Sequence, residues 1–286
     1  MSTVPDLLAV VSGATELPTM PEVLVSLDEA LSSPDCTAQD AAEIISKDPA
    51  IAANMLRIVN SVSYGLQSRV TSISHAVSVL GFDVTRATAL QAGVFKTFDD
   101  VRDPQPHFDP AAFWRHAIFA GVAARILGSS SPRFAESNPE HLYMAGLLHD
   151  IGRIVLVQSL GVRYRELLEA VSARPDAELE IERDCLGFTH ADVGSMLGIL
   201  WRLPEELVTA VRYHHNPADA PIHRDLASLV HVANDLAWRS DLPSTLAAEG
   251  HEFDTEAGAA IGLGSALVEE LLPRIEADYR TWQMPW

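Results

Sequence analysis

Apolar residues along this chain recur at intervals of three and four, and no Asn-Gly or Asp-Gly hairpin turn separates alternating segments, so the pattern predicts an all-helical protein. In KDPAIAANMLRIVNSVSYG (47–65), Asp48 is placed to cap a helix and Pro49 to occupy its first position, where a missing N–H costs nothing. Ile51, Met55, Ile58, Val59 and Val62 then fall on one face. SISHAVSVLGF (72–82) sets Ile73, Val77 and Leu80 on a stripe, and Gly81 reads as the left-handed stop before a helix that Asp83 can cap and that runs to about Phe98. Further helices are predicted over 111–128, 139–150, 153–173, 178–201, 204–215, 224–240 and 255–282. Asn138-Pro139-Glu140 is a strong start and Gly152 a fitting stop.

DDVRDPQPHFDP (99–110) interrupts this pattern with proline and acid. It predicts two parts, an N-terminal helical subdomain over 1–100 and a second helical subdomain over 101–286. SSSPRF (129–134) reads as a loop, and no fixed-period repeat is present.

A chain of 286 residues can bury a sizeable core, and 48% hydrophobic with 21% charged residues is ordinary globular composition. The formal net charge of −19 repels phosphate backbones and anionic lipid unless basic residues cluster. Lys47 and Lys96 are the only lysines and the arginines are scattered, which argues against nucleic acid as a partner. Cys36 and Cys185 form no CxxC pair, the N-terminus lacks a basic region followed by an apolar run, and no apolar stretch approaches the roughly 20 residues of a spanning helix. A cytoplasmic protein without membrane contact is the expectation.

Candidate chemistry centres on AGLLHDIGRI (145–154), where His149 and Asp150 emerge from the end of a helix whose Leu142, Met144, Ala145 and Leu148 must pack inward. Adjacent helical residues lie about 100° apart, so one cation could be gripped by both only against that end, with other helices completing its shell. His116 lies beside an apolar seam of Phe113, Ala117 and Ala120; His190 opens a small-residue helix that Thr189 can cap; His214 and His215 end another; Asp235 lies in LVHVANDLAW (229–238), one turn after His231. Five histidines and two aspartates on apolar helical surfaces suit one divalent first-row metal, or two sharing a carboxylate. Each has a plainer reading: His116 as a core histidine, His190 as helix-start polarity, His214 and His215 as a helix end, His231 as a residue orienting a ligand. Trp114 and Trp201 are expected to anchor the core.

The order of these motifs carries a resemblance. His116, His149-Asp150 and Asp235 resemble the H…HD…D set of the HD phosphohydrolase superfamily. LPTMPEVLVSL (17–27), SKDPAIAANMLRIVNSVSYG (46–65), TSISHAVSVLG (71–81) and GFTHADVGSMLGILWRLPEELVTAVRYHH (187–215) are similar in sequence and order to the HDOD family, HD-related output domains of bacterial signalling proteins. The resemblance spans about residue 14 to about residue 240. It implies an N-terminal helical subdomain packed on an HD-like helical bundle. It also implies one metal site of His116, His149, Asp150 and Asp235, and a second of His190, His214 and His215 with Asp150 bridging. Iron is the first candidate for this mono- or binuclear centre, with manganese, zinc and nickel open.

Arg153 stands where related enzymes place a phosphate-contacting lysine, so the resemblance implies that Asp150 holds the metal and Arg153 steadies a phosphate. Two departures weigh against cyclic-dinucleotide hydrolysis: NPADAP follows His215 where a Gly-Tyr-Pro segment names the phosphodiesterases, and Ala112 stands where metal-richer sites carry glutamate. The resemblance therefore implies a metal-binding output module that acts on a signalling protein partner, with hydrolysis of a nucleotide or other phosphoester as the alternative.

Overall fold

The computed structural model describes residues 5–13, 21–95, 108–240 and 253–281. Among these residues every regular element is a helix. The N-terminal part comprises α1 (Leu7–Ser12), α2 (Pro21–Ser32), α3 (Ala38–Ile45), α4 (Pro49–Val59) and α5 (Ile73–Phe95); the second comprises α6 (Pro110–Ser130), α7 (Pro139–Leu148), α8 (Ile151–Leu160), α9 (Val162–Ala173), α10 (Glu178–Leu186), α11 (His190–Leu200), α12 (Glu205–Tyr213), α13 (Arg224–Arg239), α14 (Thr255–Ala260) and α15 (Ser265–Thr281). No helix among the described residues is long and apolar enough to cross a membrane.

Local chemistry sets many of these limits. Asp48 accepts hydrogen bonds from the Ala50 and Ile51 N–H groups with Pro49 at the first position, and Asn138 accepts from Glu140 in the same way at the start of α7. Thr189 and Asp192 close a reciprocal capping box on α11. Gly81 sits at φ 76 and breaks the helical path within α5, as the sequence predicts. Phe98, the expected end of that helix, and most of the 99–110 interruption lie outside the described residues.

The structure departs from the periodicity in five places. Val62 leaves the α4 stripe and is exposed, because the helix ends at Val59 and a short 3₁₀ turn follows. The expected helices over 153–173 and 178–201 are each two. Gly161 joins α8 to α9, and Gly187, at φ 82, admits the left-handed conformation that ends α10. The 255–282 segment likewise divides into α14 and α15 around Gly262. Lastly, Gly152 is no stop: α7 ends at Leu148 and Gly152 lies inside α8.

Packing explains what Gly152 does instead. A methyl group there would lie 2.0 Å from the His190 carbonyl oxygen and 2.7 Å from the Gly194 nitrogen, so α8 and α11 cross almost backbone to backbone. Gly146 plays the same part on α7, where a methyl would meet the Ala120 carbonyl oxygen of α6 at 2.4 Å. These two crossings draw His116, His149, Asp150 and His190 toward one another.

Helices α2 to α5 pack together, α6 packs on α7, α13 and α15, and α8 on α11, which also packs on α12. One continuous apolar core runs through both parts. Polar links reinforce the seam: the Tyr143 hydroxyl donates to the Ser46 carbonyl at 2.7 Å, the Ser74 hydroxyl donates to Glu140, and Arg69 donates to the Leu203 carbonyl at 2.6 Å. Helix α1, from the N-terminal end, packs on α8 and α11, where the Ser159 hydroxyl donates to the Val10 carbonyl. A Gly152→Ala substitution should therefore lower stability by about 2 kcal/mol or more, since overpacking is not relieved by a side-chain rotation when the obstacle is backbone. The shift of the urea midpoint measures it.

Candidate metal centre

His149 and Asp150 form the junction between α7 and α8, with Asp150 at φ −100 and ψ 11. Its carboxylate is buried and divides between two groups of imidazoles. Oδ2 faces His149 Nε2 at 3.4 Å and His116 Nε2 at 3.9 Å; Oδ1 faces His190 Nε2 at 3.2 Å and His214 Nε2 at 3.5 Å. His215 joins through its own Nε2, which lies 2.9 Å from that of His190, and His116 and His149 meet at 3.3 Å. Of three sets with ligand atoms mutually within 4.8 Å, two share Asp150, His116-His149-Asp150 and Asp150-His190-His214-His215, and the third is Glu178-Glu182-His190.

The opposite edges of these rings are fixed. A backbone carbonyl can only accept, so the Nδ1 atoms of His149 and His214 carry the protons that they donate to Gly146 and Val211, at 2.7 and 2.8 Å. His190 Nδ1 meets Glu182 Oε2 at 2.8 Å, and the same oxygen accepts from the His190 backbone N–H. For His149 and His214 such bonds direct Nε2 lone pairs inward, the arrangement that orients metal-ligating imidazoles. Burial, with His149 nearby, pushes the pKa of His116 down to about 3; burial likewise pushes that of His214 down to about 4, which leaves both rings neutral at physiological pH. His190 behaves differently. Burial and Arg153 oppose its charge, yet Glu182 and Asp150 outweigh them and push it up to about 10.

Three carboxylates and one guanidinium supply the fixed charge. Arg153 is buried and donates from Nε to Asp150 at 2.7 Å and from its terminal nitrogens to Glu178. Although burial opposes ionisation, Arg153 and then His149 hold the Asp150 carboxyl well below the usual carboxylate range. In this arrangement the Arg153 fork faces Asp150 and Glu178, where the resemblance implies a phosphate contact. Glu182 accepts from the Tyr164 hydroxyl at 3.2 Å as well as from His190.

Six of the seven expected residues thus converge; Asp235 joins none of these sets. Its carboxylate lies 3.5 Å from His231 Nε2 on its own helix, α13. His231 in turn donates from Nδ1 to the His214 carbonyl at 2.7 Å, so it orients the backbone of a candidate ligand. Glu178 and Glu182 were hidden from sequence reasoning because α10 carries Glu180, Arg183 and Asp184 as well, and inward acids cannot be told from solvated ones by type. Their i, i+4 spacing was the one available signal.

Imidazole nitrogens and a carboxylate fit a divalent first-row cation. The buried His214 Nε2 has no hydrogen-bond partner, a costly state that a cation at this position would relieve. Arg153→Ala should cost about 3–5 kcal/mol, because it leaves Asp150 and Glu178 buried without their counter-charge. Urea unfolding in the presence of chelator measures that loss.

Comparison with known proteins agrees with the fold. A protein of Treponema pallidum (strain Nichols), uncharacterised, is 29% identical over 222 residues, which cover 77% of this chain and 42% of that protein, so the chain spans under half the length of this relative. Among solved structures, the MmoQ response regulator of Methylococcus capsulatus str. Bath superposes with a TM-score of 0.72 at 24% identity, over 91% of this chain and 98% of that one. A protein of Marinobacter aquaeolei VT8, provisionally assigned to signal transduction, gives a TM-score of 0.58 at 26% identity, over 99% of this chain and 61% of its own. The HDOD domain model matches residues 17–217, well over half of the sequence, and this chain belongs to the HDOD family.

Proposed function

We propose that the chain is a signal-transduction output module of the HDOD type, which holds a divalent metal in the centre built on Asp150 and acts through contacts with a signalling protein. The observation that carries this reading is the combination of a converged ligand set with its enclosure. His116, His149, Asp150, His190 and His214 are all buried, and His215 is partly so. The relative from Marinobacter aquaeolei VT8, with its provisional assignment, points the same way. Bound there, the metal would supply Lewis acidity and structural cross-linking between α6, the α7–α8 junction, α11 and the end of α12.

Charge supports a single cation. Asp150, Glu178 and Glu182 against Arg153 leave a formal charge of −2 once a bound cation has displaced the proton that His190 otherwise carries, and one divalent ion cancels it. A second ion would need an accompanying anion in a low-dielectric setting.

That condition defines the alternative, a metal-dependent phosphohydrolase acting on a nucleotide or other phosphoester. One feature favours it: the two oxygens of Asp150 face separate imidazole groups, as a bridging carboxylate would. On either reading His149→Ala should reduce bound metal at least tenfold, measured by elemental analysis of protein prepared without oxygen, while the helical circular dichroism is retained. In the module the parent does not hydrolyse generic phosphodiesters or cyclic dinucleotides; turnover by the parent that His149→Ala abolishes would establish the alternative.

A further inference from the structure

Helix α13 presents Asn234 and Asp235 in succession, and about 100° of helix separates their directions. Asp235 shares a face with His231, one turn earlier, and their 3.5 Å contact belongs to a relay that reaches Asp254 at 3.4 Å from the same nitrogen and the His214 carbonyl from the other. Asn234 shares the next face with Trp238, whose ring lies 4.7 Å from that of His116. The Asn234 side chain lies against His116 and is 4% exposed, with its Oδ1 outside ordinary hydrogen-bond geometry. An amide oxygen buried to that degree without a donor is costly unless something electropositive meets it.

We infer that α13 meets the centre through the amide oxygen of Asn234, and that Asp235 serves the far side of the helix by holding His231. The inference rests on the metal reading above. A cation held by His116, His149 and Asp150 would draw on Asn234 as its neutral oxygen donor. The chemistry has a consequence: with an amide in place of a second carboxylate, this half of the centre carries only the charge of Asp150. That weakens its grip on a hard dication and suits an exchangeable, sensing metal better than a permanently bound one.

The test is titration of the full chain, stripped of metal, with Mn²⁺ alone by calorimetry, comparing the parent with Asn234→Ala, Asn234→Asp and Asp235→Asn. Loss of a group that orients or completes a metal shell typically weakens binding by about 10–100-fold. Asn234→Ala should fall in that range, Asn234→Asp should bind as tightly as the parent or tighter, and Asp235→Asn should stay within about threefold. Circular dichroism of the metal-free proteins identifies any variant that fails to fold. Should Asn234→Ala be one, Asn234→Asp decides, since a tenfold loss in that folded variant would overturn the inference. A tenfold loss in Asp235→Asn with Asn234→Ala unaffected would also overturn it and assign α13's contribution to Asp235. A parent that takes up no Mn²⁺, Fe²⁺ or Zn²⁺ would instead sink the metal reading itself.

Discussion

A carboxylate buried at the junction of two helices is the constraint on which this architecture turns. Asp150 is 2% exposed, and an ionised group taken out of water to that extent must be surrounded by donors or cations. Arg153 supplies one side through a 2.7 Å bond and is itself balanced by Glu178. On the other side the carboxylate meets only imidazoles, with His190 Nε2 3.2 Å from Oδ1. Replacing such a network by hydrophobic side chains is often neutral or stabilising. A fold that retains it therefore gives up stability for something other than folding, as the proposed metal centre would require.

The helices are built to bring the ligands to Asp150. His116, His149, His190 and His214 come from four different elements, so their convergence depends on how closely those elements cross. At Gly146 and Gly152 the neighbouring backbone occupies the place where a side chain would be, which sets two crossings at near the closest approach helices allow. Ring orientation is then set by partners outside the centre: the carbonyls of Gly146 and Val211, and the Glu182 carboxylate, which Tyr164 also bonds. Such a centre is rigid and enclosed. The proposed metal would fix one arrangement of α6, α7, α11 and α12.

Much of this could be read from the order of residues. Helical periodicity gave the all-helical class, and the capping residues Asp48, Asn138 and Thr189 marked three starts correctly because a cap is a local interaction. The breaks at Gly161 and Gly187 were missed because the apolar pattern continues across them, and a left-handed turn costs glycine nothing and leaves no trace in periodicity. Gly152 was misread for a related reason: a glycine that stops a helix and one that admits a neighbouring helix look the same in one dimension. Five candidate imidazoles were legible because histidines on apolar helical surfaces are conspicuous, and Asp150 because it adjoins His149; the structure brings these six together. Which of Asn234 and Asp235 turns toward His116 was not legible, since a carboxylate is the commoner ligand and only the rotation of α13 decides.

X-ray absorption of the metal-loaded protein tests the central claim most directly, because it reads the shell around the ion without reference to activity. The account predicts nitrogen and oxygen neighbours at about 2.0–2.2 Å with the outer-shell scattering of at least two imidazoles per metal. A shell of oxygen alone, with no imidazole scattering, would mean that the ion sits elsewhere and that the convergence on Asp150 does not bind metal.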